Sequence, residues 1–397
     1  MKDAFIYDAI RSPRGKGKEG GALSSVKPVA LMAQVMNALA ERNDLDTAAV
    51  DDVILGCVTA VGDQGADIAK ISALYAGWAD TVSGATVNRF CASGIDAVHT
   101  AAMKVSTSTA ELVCAGGVES MSRVPIFGDK GAWFGDPEVA KRTGFVHMGV
   151  AADFVASSQG ISRAELDAYA ARSHQRAARA QSEGHFQSVV TIETDHGLAS
   201  TDELIRPQTS EDNLAKLPAL FEGEAFEPSK QVFAARHPGQ SIDALHTVGT
   251  SPGIADGASL ALIGSESAGK RHNLGPMARI VGMAVAGVDP VVMLRGNIDA
   301  ARKALTHASL TAADIDVFEV NESFAAVPID FARALDIDSG KLNPCGGAIA
   351  LGHPLGATGG CLLSMAIDEL HRAQGRYALI SICGGAGVAA AVIIERC

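Results

Sequence analysis

Positive charge is scarce: 33 lysines and arginines stand against 45 aspartates and glutamates, a formal net charge of −12. A nucleic-acid or anionic-membrane surface needs a basic face, and no run of basic residues supplies one here. Long apolar runs are missing as well. No stretch reaches the roughly 18 consecutive apolar residues of a membrane span. The opening "MKDAFIYDAIRSP" has no apolar region of signal-peptide length and carries acidic residues early, which argues against secretion. The seven cysteines lie far apart without a pairing pattern, as in a reducing cytosol and unlike a disulfide scaffold. Neither a CxxC pair nor an HExxH helix occurs, so no metal site is expected. What remains is a cytoplasmic chain of 397 residues, 47% apolar, long enough for two or three domain-sized units.

The chain repeats itself. "TAAVDDVILGCVT" from Thr47 resembles "TAADIDVFEVNES" from Thr311, with Val317 lying 264 positions after Val53. The same offset lays "ATVNRFCASG" over "IALGHPLGAT". "ELVCAGG" parallels "ALISICGG", and "KDAFIYDAIRSP" pairs with "MARIVGMAVAGVDP". Matched pieces in one order imply a duplicated unit, two similar halves facing each other, with a site possible at their junction.

Within each half, apolar strand-like runs (Val53–Val58, Leu112–Ala115, Val317–Val320, Ala378–Ile382) alternate with helix-period segments. One stripe runs through Ser93, Ile95, Val98, Ala102 and Val105, another through Leu362, Met365, Ile367 and Leu370. Alternation of this kind favours an α/β fold, a mainly parallel sheet covered by helices. Val388–Ile394 suits a final buried strand. Between the halves, from about Ser122 to Gly253, the texture changes. A helix is expected in "SRAELDAYAARSHQRAARAQSEGHF", with Ser162 and Glu165 as a capping box and Gly184 as a stop. An insertion this long suits a substrate-binding excursion or oligomer contacts better than a plain linker.

Four residues are candidates for chemistry. Cys91, in "VNRFCASG", sits at a strand-to-helix junction, where the helix N-terminus favours a thiolate; an arbitrary cysteine is more often a small buried residue. The repeat brings His353, in the glycine frame "GGAIALGHPLGATGG", into the matching region of the other half, and a Cys–His pair is a known means of thiolate activation. Cys383, in "CGGAG", ends a strand before a glycine loop that lacks the Lys-Ser/Thr of a phosphate loop. Asn321, in "VNESFA", is either a turn cap or a site residue. Cys57, Cys114, Cys345, Cys361 and Cys397 show no such company.

"NRFCASG", "GGVESMSRVP", "HMG", "NESFA", "GGAIALGHPLGATG" and "CGGAG", in this order and spacing, resemble the thiolases from end to end of the chain. The resemblance implies the thiolase fold: two βαβαβαββ halves in a five-layered α-β-α-β-α arrangement with an inserted loop domain. In that scheme residues 1–121, completed by about 254–272, form the N-terminal half, 122–253 the loop domain, and 273–397 the C-terminal half. It also implies a homotetramer or homodimer. Cys91 matches the nucleophile that becomes the acyl-thioester, His353 its activating base, and Cys383 the cysteine that moves protons to and from the other substrate. Asn321 matches the holder of a water that, with His353, stabilises the thioester enolate. The backbone N–H groups of Cys91 and Gly385 match a second oxyanion site, and His147, Met148 and Phe324 the acyl and pantetheine pocket. The implied reaction is cleavage of 3-ketoacyl-CoA by CoA, with CoA as substrate and no cofactor or metal. Lys216, Arg206 or Arg236 could meet the CoA phosphates.

The departures from the family pattern are specific. "NPCGGA" replaces the usual NVNGGA and puts Pro344 and Cys345 near the site. "NESFA" replaces NEAFA and puts Ser323 in the pocket wall. Thr250 and Pro252 stand where Asn and Ser are common. "GDKGAWFGDP" is closer to degradative thiolases, some acting on bulky substrates, than to short-chain acetyl-CoA acetyltransferases that form acetoacetyl-CoA. A ketoacyl synthase would carry a second active-site histidine in place of Cys383. A non-catalytic acyl-CoA-binding relative should have lost Cys91, His353 or Cys383, and all three are present.

Overall fold

A computed structural model describes residues 2–397. The strands that build it are β1 (Phe5–Arg11), β2 (Asp52–Gly56), β3 (Ser83–Val87), β4 (Leu112–Ser120), β5 (Ala255–Gly264), β6 (Ala278–Gly287), β7 (Val317–Val320), β8 (Tyr377–Cys383) and β9 (Val388–Arg396). Every residue of β4 and β5 is buried, which is why these runs read as continuously apolar or small rather than alternating. The N-terminal half has the order β3-β2-β4-β5-β1, and the C-terminal half runs β7-β8-β9-β6. Equivalent strands pair alike in the two halves: β2 lies parallel to β4 and β7 to β8, while β4–β5 and β8–β9 are antiparallel. The repeat in the sequence is thus a repeat of topology.

Five layers follow from where the apolar faces go. Helices α1 (Pro28–Arg42) and α2 (Ile68–Tyr75) cover the outer face of the first sheet, with Leu31, Met36 and Ile68 packed on Val53 and Leu55. Helices α3 (Ser93–Ser106) and α8 (Thr358–Ala373) fill the space between the sheets. Ile95 and Val98 of α3 and Leu362, Leu363 and Ala366 of α8 meet Ile54 and Val113 from one side and Ile380 and Val392 from the other. A helix clad on every side must be apolar nearly all round, and α8 buries every residue from Thr358 through Ile367. Burying each Ile, Val or Leu of this layer stabilises by roughly 1.5–3 kcal/mol. Helices α6 (Gly296–Ala308) and α7 (Ala326–Leu335) cover the outer face of the second sheet.

The two sheets are also joined, as sequence alone did not suggest. β1 and β6, the same strand of each half, pair antiparallel at Phe5–Arg279 and Ile6–Ala278, giving one sheet of ten strands when the two-residue strand Gly15–Lys16 beside β5 is counted. Equivalent edge strands related by an approximate two-fold can meet only antiparallel. The insertion carries α4 (Met148–Ser158) and α5 (Arg163–Ser182). Helix α5 starts at the Ser162–Glu165 capping box and stops before Gly184, whose φ of +70° breaks the helical path. Val150 and Phe154 of α4 and Phe233 share one core with α6 and α7. A fully buried Arg11–Asp202 pair, two bonds of 2.8 Å, ties the insertion to β1.

Candidate active site

Cys91 lies where the chain turns from β3 into α3. The turn is tight: Phe90 has φ +48°, Asn88 Oδ1 accepts the Phe90 N–H (2.8 Å), and Ser93 Oγ accepts the Arg89 N–H (2.8 Å). Short polar side chains that bond their own backbone favour such turns. The N–H groups of Cys91 and Gly385 face the Cys91 sulfur and favour its thiolate, but burial is the larger effect and pushes the thiol up to about 12. The helix N-terminus therefore does not produce a thiolate at rest; a base is required.

His353 stands on the loop before α8, held by its N–H to Gly253 O (2.8 Å). Nδ1 pairs with Thr358 Oγ1 at 2.7 Å, while Nε2 is buried with no partner. Burial, then the charge of Arg14, lowers its pKa to about 3, so the ring is neutral and its free nitrogen is available. The approach of this loop to Cys91 depends on missing side chains. A Cβ on Gly94 would meet Gly356 O at 2.8 Å, and one on Gly359 would meet Ile95 N at 2.4 Å. The N-terminal turns of α3 and α8 touch backbone to backbone, so Cys91 and His353 open into one cavity.

Cys383 ends β8 ahead of a loop in which Ala386 (φ +55°) and Gly387 (φ +82°) turn the chain back into β9. Its Sγ is 3.3 Å from Ser323 Oγ. Burial raises this thiol to about 11, against the opposing Ser323 hydroxyl and its own N–H. Asn321 follows β7 directly and is fully buried. Its N–H donates to Ser381 O (3.0 Å) and its Nδ2 to Ser323 Oγ (2.8 Å), leaving Oδ1 unpartnered. Ser323 reaches the cavity wall and Asn321 stands behind it.

The cavity, about 250 Å³, is lined by Cys91, His353 and Cys383 together with His147, Met148, Phe324, Ser251 and Pro252. His147 caps α4 by accepting the Gly149 N–H at its Nδ1 (3.1 Å), and burial lowers its pKa. Phe324 packs edge-on against Phe221 and His246. Next to it, sharing Cys91, Phe127 and Met148 as walls, lies a narrower apolar compartment of about 50 Å³, with Phe90, Trp133, Phe134 and Gly385 completing it. The segment Phe127–Phe145 thus supplies most of its aromatic wall.

Several supporting residues escaped the sequence reading. Glu119 accepts the N–H groups of Val58 (2.9 Å), Thr59 (3.0 Å) and Gly356 (2.9 Å) and Gln64 Nε2 (2.8 Å), joining the end of β2 to the His353 loop. The "GGVES" motif flagged the segment but not this role. Arg14 donates to Gly352 O (3.2 Å) beside His353. Buried Asp153 pairs with His246 Nδ1 at 2.8 Å behind Phe324. Arg14, His246 and Thr358 had no local signal, because their partners are distant in sequence or lie on a loop whose shape is tertiary.

Other expectations need correction. Cys345 is not at the site: it is absent from the cavity wall and donates to Glu369 Oε2 (3.6 Å) near α5. Thr250 is an internal turn residue, accepting the Thr247 N–H (2.8 Å), whereas Pro252 does line the cavity. Arg236 is paired with Asp289 (3.0 Å), which neutralises much of its charge for a phosphate. Lys216 and Arg206 are exposed, and neither lines the cavity.

The comparisons agree with this architecture. The chain matches the family models "Thiolase, N-terminal domain" over residues 4–225 and "Thiolase, C-terminal domain" over 274–396. It is 39% identical to a steroid 3-ketoacyl-CoA thiolase of Mycobacterium tuberculosis, covering all of this chain and 95% of the relative. It is 40% identical to a 3-oxoadipyl-CoA/3-oxo-5,6-dehydrosuberyl-CoA thiolase of Escherichia coli over the full length of both. The crystal structure of the Bacillus anthracis acetyl-CoA acetyltransferase superposes with a TM-score of 0.86 at 34% identity, covering 100% of this chain and 99% of that one. With the duplicated halves, the layered helices and these matches in agreement over its whole length, the chain belongs to the thiolase family of acyltransferases.

Proposed function

We propose that the chain cleaves 3-ketoacyl-CoA with CoA, giving acetyl-CoA and a shortened acyl-CoA through an acyl-thioester on Cys91. His353 Nε2 takes the Cys91 proton as sulfur attacks C3 of the substrate. The N–H groups of Cys91 and Gly385 receive the oxyanion, such preorganised donors being worth about 3 kcal/mol of barrier each. Cleavage of the C2–C3 bond releases the acetyl-CoA enolate, stabilised at its thioester oxygen by protonated His353 and by a water held at Asn321. Cys383 protonates the enolate carbon. The Cys383 thiolate then takes the proton of incoming CoA, whose sulfur attacks acyl-Cys91, and the departing Cys91 thiolate recovers its proton from His353. CoA enters as a substrate, and no step calls for a metal or redox cofactor. The single observation that carries this reading is the convergence of Cys91, His353 and Cys383 on one cavity.

In this reading His147, Met148 and Phe324 line the pantetheine and acyl path, and the compartment beside Trp133 takes the acyl tail. An apolar tail gains about 0.8 kcal/mol per buried methylene, which favours 3-ketoacyl groups larger than acetoacetyl. Thiolysis is the favoured direction because joining two thioesters through a carbon–carbon bond is uphill. Of the three cations expected to meet the CoA phosphates, Arg236 is paired with Asp289, and Lys216 and Arg206 are the two proposed for that role. Residues 1–121 with 254–272 and residues 273–397 are the two halves, and 122–253 is the loop domain. Self-association as a homodimer or homotetramer is supported by β3, a strand at the open end of the sheet, and by exposed Ile71, Leu74 and Tyr75 on neighbouring α2.

Incubation with a 3-ketoacyl-CoA without free CoA, followed by peptide mass spectrometry, should place the acyl group on the Cys91 peptide. Acylation at Cys383 alone, or at no cysteine, would sink the mechanism. Thiolysis rates across chain lengths test the substrate: a tenfold preference for acetoacetyl-CoA would replace the degradative reading with the short-chain one.

A further inference from the structure

Cys383 shares its cavity with three titratable side chains, Cys91, His353 and His147. Glu119 lies behind Cys91, and Arg14 behind His353. Of the other segments packed near Cys383, β9 presents Ala389 across the ladder and the turn before α6 presents Leu294 to the cavity; Glu322, next to Ser323, is bonded by Tyr169 and Ser173, and Arg89, on the turn against Gly384, pairs with Asp96. The one polar side chain within hydrogen-bond distance of the sulfur is Ser323, at 3.3 Å.

The hydrogen bonds around Ser323 have a direction. Asn321 Nδ2 donates to Ser323 Oγ at 2.8 Å, which occupies an acceptor site on that oxygen. Between Ser323 Oγ and Cys383 Sγ either atom can donate while the sulfur is protonated; once it is a thiolate, only the Ser323 hydroxyl can. Both Asn321 and Cys383 are almost wholly buried, and Ser323 is 6% exposed, so water competes weakly for these bonds.

We propose that Ser323 is a positioning residue for Cys383: a chain from Asn321 N–H through the Ser323 hydroxyl to the Cys383 sulfur holds the thiolate ready to take and return protons. The inference rests on the reading of Cys383 as the proton carrier. A hydroxyl donating to sulfur stabilises the thiolate and does nothing comparable for the thiol. It therefore speeds removal of a proton from CoA or from the acetyl-CoA methyl group, and Cys383→Ala should abolish that removal altogether.

The test follows exchange of acetyl-CoA methyl hydrogens with heavy water, catalysed by the wild-type enzyme and by Ser323→Ala, Ser323→Thr and Cys383→Ala. Alkylation of Cys91 by iodoacetamide runs in parallel as a readout that does not need Cys383. In Ser323→Ala, exchange should fall about tenfold and its rising alkaline limb should move up by roughly one pH unit, the size of one charge-assisted hydrogen bond. Cys91 alkylation should stay within about threefold, and Ser323→Thr should restore the exchange profile. An unshifted profile, or equal loss of exchange and alkylation in Ser323→Ala, overturns the proposal. Exchange persisting in Cys383→Ala overturns instead the assignment of Cys383 on which it rests.

Discussion

Glu119→Gln should unfold the protein markedly more easily while changing the shape of the side chain hardly at all. Four N–H donors converge on the Glu119 carboxylate, and the Cys57 thiol lies 3.9 Å from Oε1. Oε1 accepts Thr59 N–H (3.0 Å) and Gln64 Nε2 (2.8 Å), and Oε2 accepts Val58 N–H (2.9 Å) and Gly356 N–H (2.9 Å). Burial pushes the Glu119 pKa up while these donors pull it down, and a set made of donors alone suits the charged form. A glutamine keeps one oxygen and turns an NH₂ toward the other two donors. Two buried N–H groups are then orphaned at about 1–3 kcal/mol each, an expected loss of roughly 2–6 kcal/mol. Against a typical total of 5–15 kcal/mol this is a large fraction. Urea unfolding at one fixed protein concentration measures it, since subunit association would otherwise shift the midpoint. Activity should fall with stability, because Gly356 belongs to the loop that carries His353. An unchanged midpoint would mean that the carboxyl is already protonated in the folded protein, and the donor-counting argument would fail.

Three buried histidines should make stability depend on pH. Burial lowers His99 and His174 to about 4 and His353 to about 3, so the unfolded chain binds protons below about pH 6.5 that the folded one refuses. The histidine part of the stability is then present above that pH and lost below it, by about 1.4 kcal/mol per pH unit for each, while Asp256 and Asp368, raised to about 6 by burial, take up protons in the folded state and offset part of the loss; in His99→Gln the fall in urea stability between pH 7 and 5 should be smaller by about 2 kcal/mol, and equal falls in both proteins would refute this. Thr358→Val keeps the shape and removes the hydroxyl at His353 Nδ1 (2.7 Å), so kcat should drop roughly 2–10-fold with KM little changed, as a single hydrogen bond implies. Trp133→Ala opens the compartment beside Cys91 and should move the best acyl length upward in kcat/KM series; the same optimum in both proteins would place the acyl tail elsewhere.

The repeat and the alternation of strands and helices were legible from residue patterns along the chain, and so were the candidate residues of the site. Apolar periodicity is local, so the ends of α3, α5 and β7 could be read from neighbouring residues. Cys91, His353, Cys383 and Asn321 stood out through the glycines and strand ends around them, features of the chain within a few residues of each. Tertiary structure decided everything that depends on residues distant in sequence. It made a mixed sheet, with most pairings antiparallel, where a mainly parallel one was expected, and it kept Cys345 away from a cavity that its position in the chain suggested. It also put Glu119, Arg14 and Thr358 to work, since a buried polar group is explained only by partners that close packing brings to it. The protonation of the site was settled in the same way. A helix N-terminus predicts a thiolate at Cys91 and a solvated imidazole predicts a base near neutrality, yet burial pushes the thiol up and the histidine down. Desolvation is a property of the assembled core, and no stretch of sequence carries it.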